Sequence, residues 1–109
     1  MTERREHRRC SLTQLLDVTL MREHDIEASA IELSEGGLLC KSGAPVDLLS
    51  AVYLMLRIPT AGADYMLKTE GVVMHQRREG EDWVFGISFG PLTSADKEAL
   101  RYYLDTVCG

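Results

Sequence analysis

Short segments of alternating apolar and polar residues recur along most of this chain, and turn-forming residues separate them. From Ile26 to Ala30, for instance, the apolar residues alternate with Glu27 and Ser29, which is the period-two pattern of a strand buried on one face. Apolar alternation and short apolar runs predict strands over residues 14–21, 26–33, 38–40, 52–58, 65–77 and 83–89. Such a chain must fold as a sheet that covers one of its own faces.

Turn signals lie at the ends of these segments. Gly36 and Gly37 separate the second segment from the third, and Pro59 stops the fourth, because neither residue type continues a regular strand easily. The acidic stretch 79–82 contains Gly80 and predicts a tight hairpin between the last two strands.

The end of the chain has the periodicity of a helix. Thr93 can cap this helix through its hydroxyl, and Asp96 in the first turn is favourable to the helix dipole. An apolar stripe follows at helical spacing, made of Ala99, Leu100, Tyr103, Leu104 and Val107. We expect this stripe to pack on the strands.

Six strands and one helix in 109 residues predict a mainly-β fold, a small antiparallel barrel with one C-terminal helix. We expect residues 1–12 to form a flexible basic arm and residues 13–109 to form the barrel with its helix. The chain contains neither internal repeats nor low-complexity tracts.

The net charge of −5 conceals a difference between the N-terminus and the rest of the chain. Residues 1–9 carry four arginines and two glutamates, a balance of +2, whereas the remainder holds eight basic and fifteen acidic side chains, a balance of −7. An acidic body repels nucleic acid, so a nucleic-acid-binding barrel is disfavoured. Four arginines close together can nevertheless bind a small anion.

The three cysteines are odd in number and widely spaced, with no CxxC pair. This pattern argues against a disulfide framework and against a zinc site, and it fits a reducing cytosol. The N-terminus lacks the apolar segment of a secretory signal. The longest apolar stretch, residues 46–58, falls short of the ~20 residues that a membrane span needs. We therefore expect a cytoplasmic protein with no membrane span.

The sequence shows no pattern typical of an active site. His7, His24 and His75 lack the spacing of metal ligands, and there is no GxSxG nucleophile motif and no Walker phosphate loop. We expect the chain not to be an enzyme, and the sequence predicts neither a metal nor a cofactor.

Three segments occur in an informative order. Residues 5–9 (REHRR) fit the pattern RxxxR, and residues 32–37 (ELSEGG) nearly fit (D/N)xSxxG. Residues 85–93 (FGISFGPLT) then lead into the helix. Together they resemble the PilZ domain, the bacterial receptor module for cyclic di-GMP, over essentially the whole chain. The resemblance implies a six-stranded antiparallel barrel with a C-terminal helix and a cyclic di-GMP site.

The first part of the implied site is the N-terminal arm. Arg5 and Arg9 match the two arginines of RxxxR, although the overlapping pair Arg4 and Arg8 remains an alternative. In the family, an arginine at the position of Arg4 is associated with binding a stacked pair of nucleotides. Arginine suits this ligand because it pairs bidentately with phosphate or with guanine O6 and N7, and it stacks on purine faces.

The second part of the implied site lies on the barrel, at Glu32, Ser34, Gly36, Gly37 and His75. A carboxylate at residue 32 can accept hydrogen bonds from a guanine edge, and Gly37 lets backbone approach the ligand without a Cβ in the way. His75 occupies a strand position at which some relatives place a ring that packs on a guanine. Glu32 departs from the family's Asp or Asn, and its extra methylene moves the acceptor by roughly 1.5 Å.

These features predict a non-enzymatic cyclic di-GMP receptor whose arm clamps the nucleotide on the barrel and alters a surface that an unidentified downstream protein reads. We expect a monomer or a weak homodimer that requires no cofactor besides this ligand. The alternative is a degenerate PilZ-like adaptor that contacts a protein without binding nucleotide.

Overall fold

A computed structural model describes residues 9–22 and 24–109. In this range the chain forms six strands followed by one helix, as the alternation predicted. The elements are β1 (Cys10–Met21), β2 (Ile26–Leu33), β3 (Gly37–Ser42), β4 (Ala51–Ile58), β5 (Tyr65–Glu79), β6 (Asp82–Phe89) and α1 (Ser94–Cys108).

The six strands close into an antiparallel barrel in the order β1-β2-β3-β6-β5-β4. Closure comes from β1, which pairs with β2 on one side and with β4 on the other. Each strand therefore has two hydrogen-bonded neighbours, so that the barrel has no open edge. The predicted hairpin joins β5 to β6, and Gly80 at its turn has a φ of 63°, a conformation that glycine adopts without strain.

The core lies inside the barrel and beneath the helix. Its largest fully buried side chains from the strands are Phe85, Leu20, Leu33, Leu54, Leu56, Ile58 and Leu67. From the helix, Leu100 and Leu104 are completely buried and Tyr103 nearly so, and burying each leucine contributes about 1.5–3 kcal/mol. Ala99 is partly buried against the same core, so four of the five positions of the predicted apolar stripe pack on the barrel, whereas Val107 is exposed.

The helix begins as predicted at Thr93. The Thr93 hydroxyl accepts from the Asp96 backbone N–H at 3.0 Å, and the Asp96 carboxylate accepts from the Thr93 N–H at 3.2 Å, which is a capping box. Asp96 also accepts from the Tyr65 hydroxyl at 2.6 Å. This hydrogen bond raises the pKa of Tyr65 above its ordinary value and ties the first turn of α1 to β5.

The expected boundary between arm and barrel changes in the structure. The first strand begins at Cys10 rather than after residue 12, and Cys10 is buried. The remainder of the predicted arm, residues 1–8, lies outside the described residues.

The expectation that the cysteines form no disulfide is wrong. Cys10 and Cys108 are disulfide-bonded, with their Cα atoms 6.0 Å apart, a normal separation for such a bond. The pairing was invisible in the sequence because 98 positions separate the two residues. Folding brings the end of α1 onto the start of β1. Cys40 stays a free, buried thiol whose pKa is raised by that burial.

The disulfide predicts both a labelling pattern and a stability change. Without reductant, the unfolded protein should take up an alkylating reagent at Cys40 alone, and after reduction at all three cysteines, as read by mass spectrometry. Because the bond closes a 98-residue loop, Cys108→Ser should lower the free energy of unfolding by up to about 4 kcal/mol. In reductant, the parent protein should fall to the stability of the variant. Labelling of all three cysteines without reductant would contradict the bond.

Candidate functional site

One row of paired residues crosses the outer face of the barrel. Ser11 on β1 pairs with Glu32 on β2, and Glu32 pairs with Leu39 on β3. Leu39 pairs in turn with Gly86 on β6, and Gly86 with His75 on β5. Glu32 and His75 therefore lie in one row of the sheet, three strand spacings or about 14 Å apart along it. The structure thus places two residues of the predicted site, 43 positions apart in the sequence, in the same row of strand pairs.

Three irregularities in strand register adjoin this row. They lie between Ser11 and Leu16, between Ala30 and Glu32, and between Val73 and His75. An extra residue in a strand bends the strand and reverses the side to which the following residues point, which is why such bulges often adjoin functional sites.

The bulges turn Glu32 and His75 outward. Ala30 and Val73 are buried, and strict alternation would place residues 32 and 75 inside with them. Ile31 and Met74 are each the extra residue in their strands. The alternation between inward and outward side chains therefore shifts by one residue at these positions. Glu32 is then half-buried and His75 exposed, and both are available on the surface.

The His75 ring rests on a glycine that the motifs did not reveal. A Cβ on Gly86 would collide with the His75 ring and would lie only 2.7 Å from its Cε1 atom. Any larger residue at position 86 would therefore displace the ring. The signal was present in the sequence, since a glycine inside the strand segment FGISF indicates a close approach.

The loop between β2 and β3 holds the second motif in a tight turn. The Ser34 N–H donates to the Gly37 carbonyl at 2.9 Å, the Ser34 hydroxyl donates to that carbonyl at 3.3 Å, and the same hydroxyl accepts from the Gly36 N–H at 3.2 Å. The Gly36 carbonyl in turn accepts from the Phe89 N–H at 2.9 Å. Ser34 and Gly36 thus shape the turn and fasten it to β6.

Gly37 has a packing role that the sequence did not predict. We expected its missing Cβ to leave room for a ligand, but the backbone carbonyl of Ile87 on β6 fills that space. The glycine is required because β3 and β6 approach closely at this pair.

Arg9 lies at the end of the barrel that carries the β2–β3 loop. Its neighbour Cys10 pairs with Leu33, so Arg9 just before that pair and Ser34 just after it lie at the same end of β1 and β2. Arg9 is exposed. The other predicted arm residues, Arg4, Arg5 and Arg8, lie outside the described residues, and their part in the site stays a prediction.

A shallow hollow of about 420 Å³ elsewhere on the barrel is less suited to a phosphate ligand. Three carboxylates line it, those of Asp17, Glu27 and Asp82. The Nζ atom of Lys41, which also lines the hollow, already lies 3.9 Å from a carboxylate oxygen of Asp82. The negative charge of this lining repels an anion.

Among the described residues, no group of His, Cys, Asp or Glu side chains is arranged to hold a metal ion. Within the same part of the chain, no helix is long and apolar enough to cross a membrane.

The family model for the PilZ domain matches residues 3–106. The chain belongs to the PilZ domain family. This confirms the resemblance drawn from the motifs, and the closed six-stranded barrel with its C-terminal helix confirms the predicted fold. PilZ is a cyclic di-GMP receptor family whose members are generally non-enzymatic, and no catalytic family is indicated.

Two solved structures share this PilZ fold. The inhibitor of motility MotI/DgrA of Bacillus subtilis is 22% identical with a TM-score of 0.83, over 96% of this chain and 52% of that one. The PilZ domain of YcgR from Escherichia coli, solved with c-di-GMP, is 10% identical with a TM-score of 0.70, over 96% of this chain and 92% of that one. This chain therefore spans about half the length of MotI/DgrA. A search of curated protein sequences found no match.

The packing of Gly37 predicts a change in stability that needs no ligand. Gly37→Ala should lower the free energy of unfolding by about 1–3 kcal/mol, because the backbone of β6 must move to admit the methyl group. Gly43→Ala is the matched control, since a Cβ there meets nothing within 4 Å. Chemical denaturation measures both. Equal stability of the two variants would show that β3 and β6 are not in close contact at Gly37.

Proposed function

We propose that this PilZ domain is a non-enzymatic cyclic di-GMP receptor. In this proposal the arm carrying Arg4, Arg5, Arg8 and Arg9 clamps the nucleotide against the outer face of the barrel. The observation that carries the proposal is the pair of bulges that turn Glu32 and His75 outward in one row of the barrel, a row that also contains Ser11 near the start of β1.

The chemistry of the ligand matches these groups. Its two phosphodiesters are anions that arginine pairs with bidentately, and its guanines present flat faces for stacking. The Glu32 carboxylate can accept from a guanine N1–H and N2–H₂ edge, and the His75 ring can pack on a guanine face.

Closure of the arm would change the surface that a downstream protein reads. Exposed apolar side chains lie beside His75, those of Met74 and Val72 on β5, so the nucleotide and a protein partner would meet at neighbouring positions. A cytoplasmic location, a monomeric or weakly dimeric state and the absence of any further cofactor belong to the same proposal. The disulfide of the structure would then describe the oxidised form of the protein, because cytosolic thiols are kept reduced.

A nucleotide-independent adaptor is the second candidate, and two observations favour it. Glu32 departs from the family's Asp or Asn. The Ser34 hydroxyl, which the second motif would offer to a ligand, is already engaged with Gly36 and Gly37 in the turn. Both candidates predict the same barrel but opposite results with cyclic di-GMP.

Binding of cyclic di-GMP should therefore stabilise the protein. At a ligand concentration of about 100 Kd, the gain is about 2.7 kcal/mol, which for a domain of this size corresponds to roughly 10 °C in Tm. Calorimetric titration and thermal melting test this directly. A Tm that saturating nucleotide leaves unchanged would contradict the receptor and favour the adaptor.

The arm should contribute to the affinity for cyclic di-GMP without contributing to the stability of the apo protein. Arg9→Ala removes charge-assisted hydrogen bonds of roughly 1.5–3 kcal/mol, which weakens binding about ten-fold or more. The apo Tm should not change, because Arg9 is exposed. Arg22→Ala is the matched control: Arg22 follows the opposite end of β1, where it lies 3.8 Å from Asp47. If the two variants bind cyclic di-GMP with equal affinity, Arg9 does not contact the nucleotide.

Glu32 tests how far the site has departed from the family pattern. Glu32→Asp should tighten binding a few-fold, because the longer side chain must adopt a rotamer that costs roughly 0.5–1.5 kcal/mol to reach the guanine edge. Glu32→Ala should weaken binding, since it leaves guanine donors unpaired. Glu27→Ala, on the exposed face of the same strand and 3.2 Å from the Thr19 hydroxyl, serves as the control. Titration that gives one affinity for Glu, Asp and Ala at position 32 would exclude contact with the nucleotide.

A further inference from the structure

The helix α1 reaches the candidate site, although neither motif includes any of its residues. Arg101 in the middle of the helix lies 3.4 Å from the carboxylate of Glu35 in the β2–β3 loop. Seven residues further on, Cys108 is bonded to Cys10 beside Arg9. Residues seven apart lie on the same side of a helix, about two turns from each other. One side of α1 therefore runs from the motif loop to the start of the arm.

The guanidinium of Arg101 is the basic group of the barrel and helix that this loop already contacts. Most other basic side chains there are engaged with residues outside the loop: Arg22 with Asp47, Lys41 with Asp82, Arg57 with Asp64, Arg77 with Glu79, and Arg78 with the ring of Trp83. Among the ion pairs formed within the described residues, 9–22 and 24–109, only the pair of Arg101 and Glu35 involves a residue of the segment 32–37.

The pair is built in a way that lets Arg101 exchange partners. The side chains are 58% and 33% exposed, so water screens their attraction and the pair adds little to stability. Its separation of 3.4 Å is longer than the 2.7–2.9 Å of a strong charge-assisted hydrogen bond, and it is not the bidentate arrangement that arginine forms best. A phosphodiester offers two oxygens for that arrangement.

The site also needs a cation at this place. Glu32 and Glu35 put two carboxylates within four residues of the chain, and both repel the phosphates of an approaching nucleotide. Arg9 lies at the start of β1, whereas Arg101 reaches the loop from the helix.

Building on the proposed function, we infer that Arg101 is a phosphate-binding residue of the cyclic di-GMP site. In the free protein Glu35 holds its guanidinium beside the motif loop. In the complex a phosphodiester of the nucleotide replaces Glu35 as its partner. The helix thereby becomes a further element of the site, besides the arm, β2 with the β2–β3 loop, and β5.

The two halves of the ion pair provide the test. Arg101→Gln breaks the pair by removing the guanidinium, and Glu35→Gln breaks it by removing the carboxylate charge at nearly constant side-chain size. If Arg101 binds phosphate, Arg101→Gln should weaken cyclic di-GMP binding about ten-fold or more, while Glu35→Gln should leave it unchanged or tighten it a few-fold. Arg101→Lys, which keeps the charge but loses the planar fork, should fall between the parent protein and Arg101→Gln. Arg57→Gln, which breaks the exposed pair with Asp64 on β4, should bind like the parent protein.

Titration calorimetry on the full chain, with an apo melting curve for each variant, separates the outcomes. Equal weakening by Arg101→Gln and Glu35→Gln would mean that the pair only shapes the loop, and it would overturn the inference. Parent-like binding by Arg101→Gln would overturn it as well while leaving the proposed receptor function intact. Absence of binding by the parent protein, with the fold intact by circular dichroism, would overturn the proposed function and this inference together.

Discussion

The arrangement of the six strands depends on the hydrogen-bonded closure of the sheet through β1. Val18 in that strand pairs with Ala28 on one side and with Leu56 on the other, and all three side chains are buried. A closed ladder leaves each residue only two directions, into the core or out to the surface. Whether a side chain belongs to the core or to a binding site is then decided by its phase along the strand.

The bulges are the places at which this phase changes. They are concentrated around the row from Ser11 to His75, whereas the pairing of β4 with β5 runs without interruption from Ala51 to Ile58. The regular part of the barrel supplies the stability that tolerates the irregular part. The irregular part in turn presents a carboxylate and a ring that regular alternation would have buried. The candidate site is thus a local departure from the rule that builds the rest of the fold.

The helix contacts the barrel at three separate places. Its first turn is hydrogen-bonded to β5 through Asp96 and Tyr65, its middle lies beside the β2–β3 loop through Arg101 and Glu35, and its last turn is covalently bonded to β1. Leu100 and Leu104 bury the side between these contacts. A displacement of the helix at one of these contacts would therefore also act on the start of β1, to which its last turn is bonded.

The sequence by itself determined the class of fold, because alternation, turn residues and capping are local properties. Five of the six strands were predicted to within about two residues at either end, and Thr93 was identified as the helix cap; β1 was predicted to begin later than it does. The motifs likewise identified the family, since their order and spacing can be recognised in the sequence alone.

Only the tertiary structure decided which residues meet. The outward direction of Glu32 and His75 depends on bulges that alternation cannot reveal, and the role of Gly37 depends on a carbonyl fifty residues away in β6. The disulfide of Cys10 and the ion pair of Arg101 join positions 98 and 66 residues apart. Contacts of this kind arise when the barrel closes and the helix packs on it. The linear sequence contains no local signal for them, because the residues that meet are far apart along the chain.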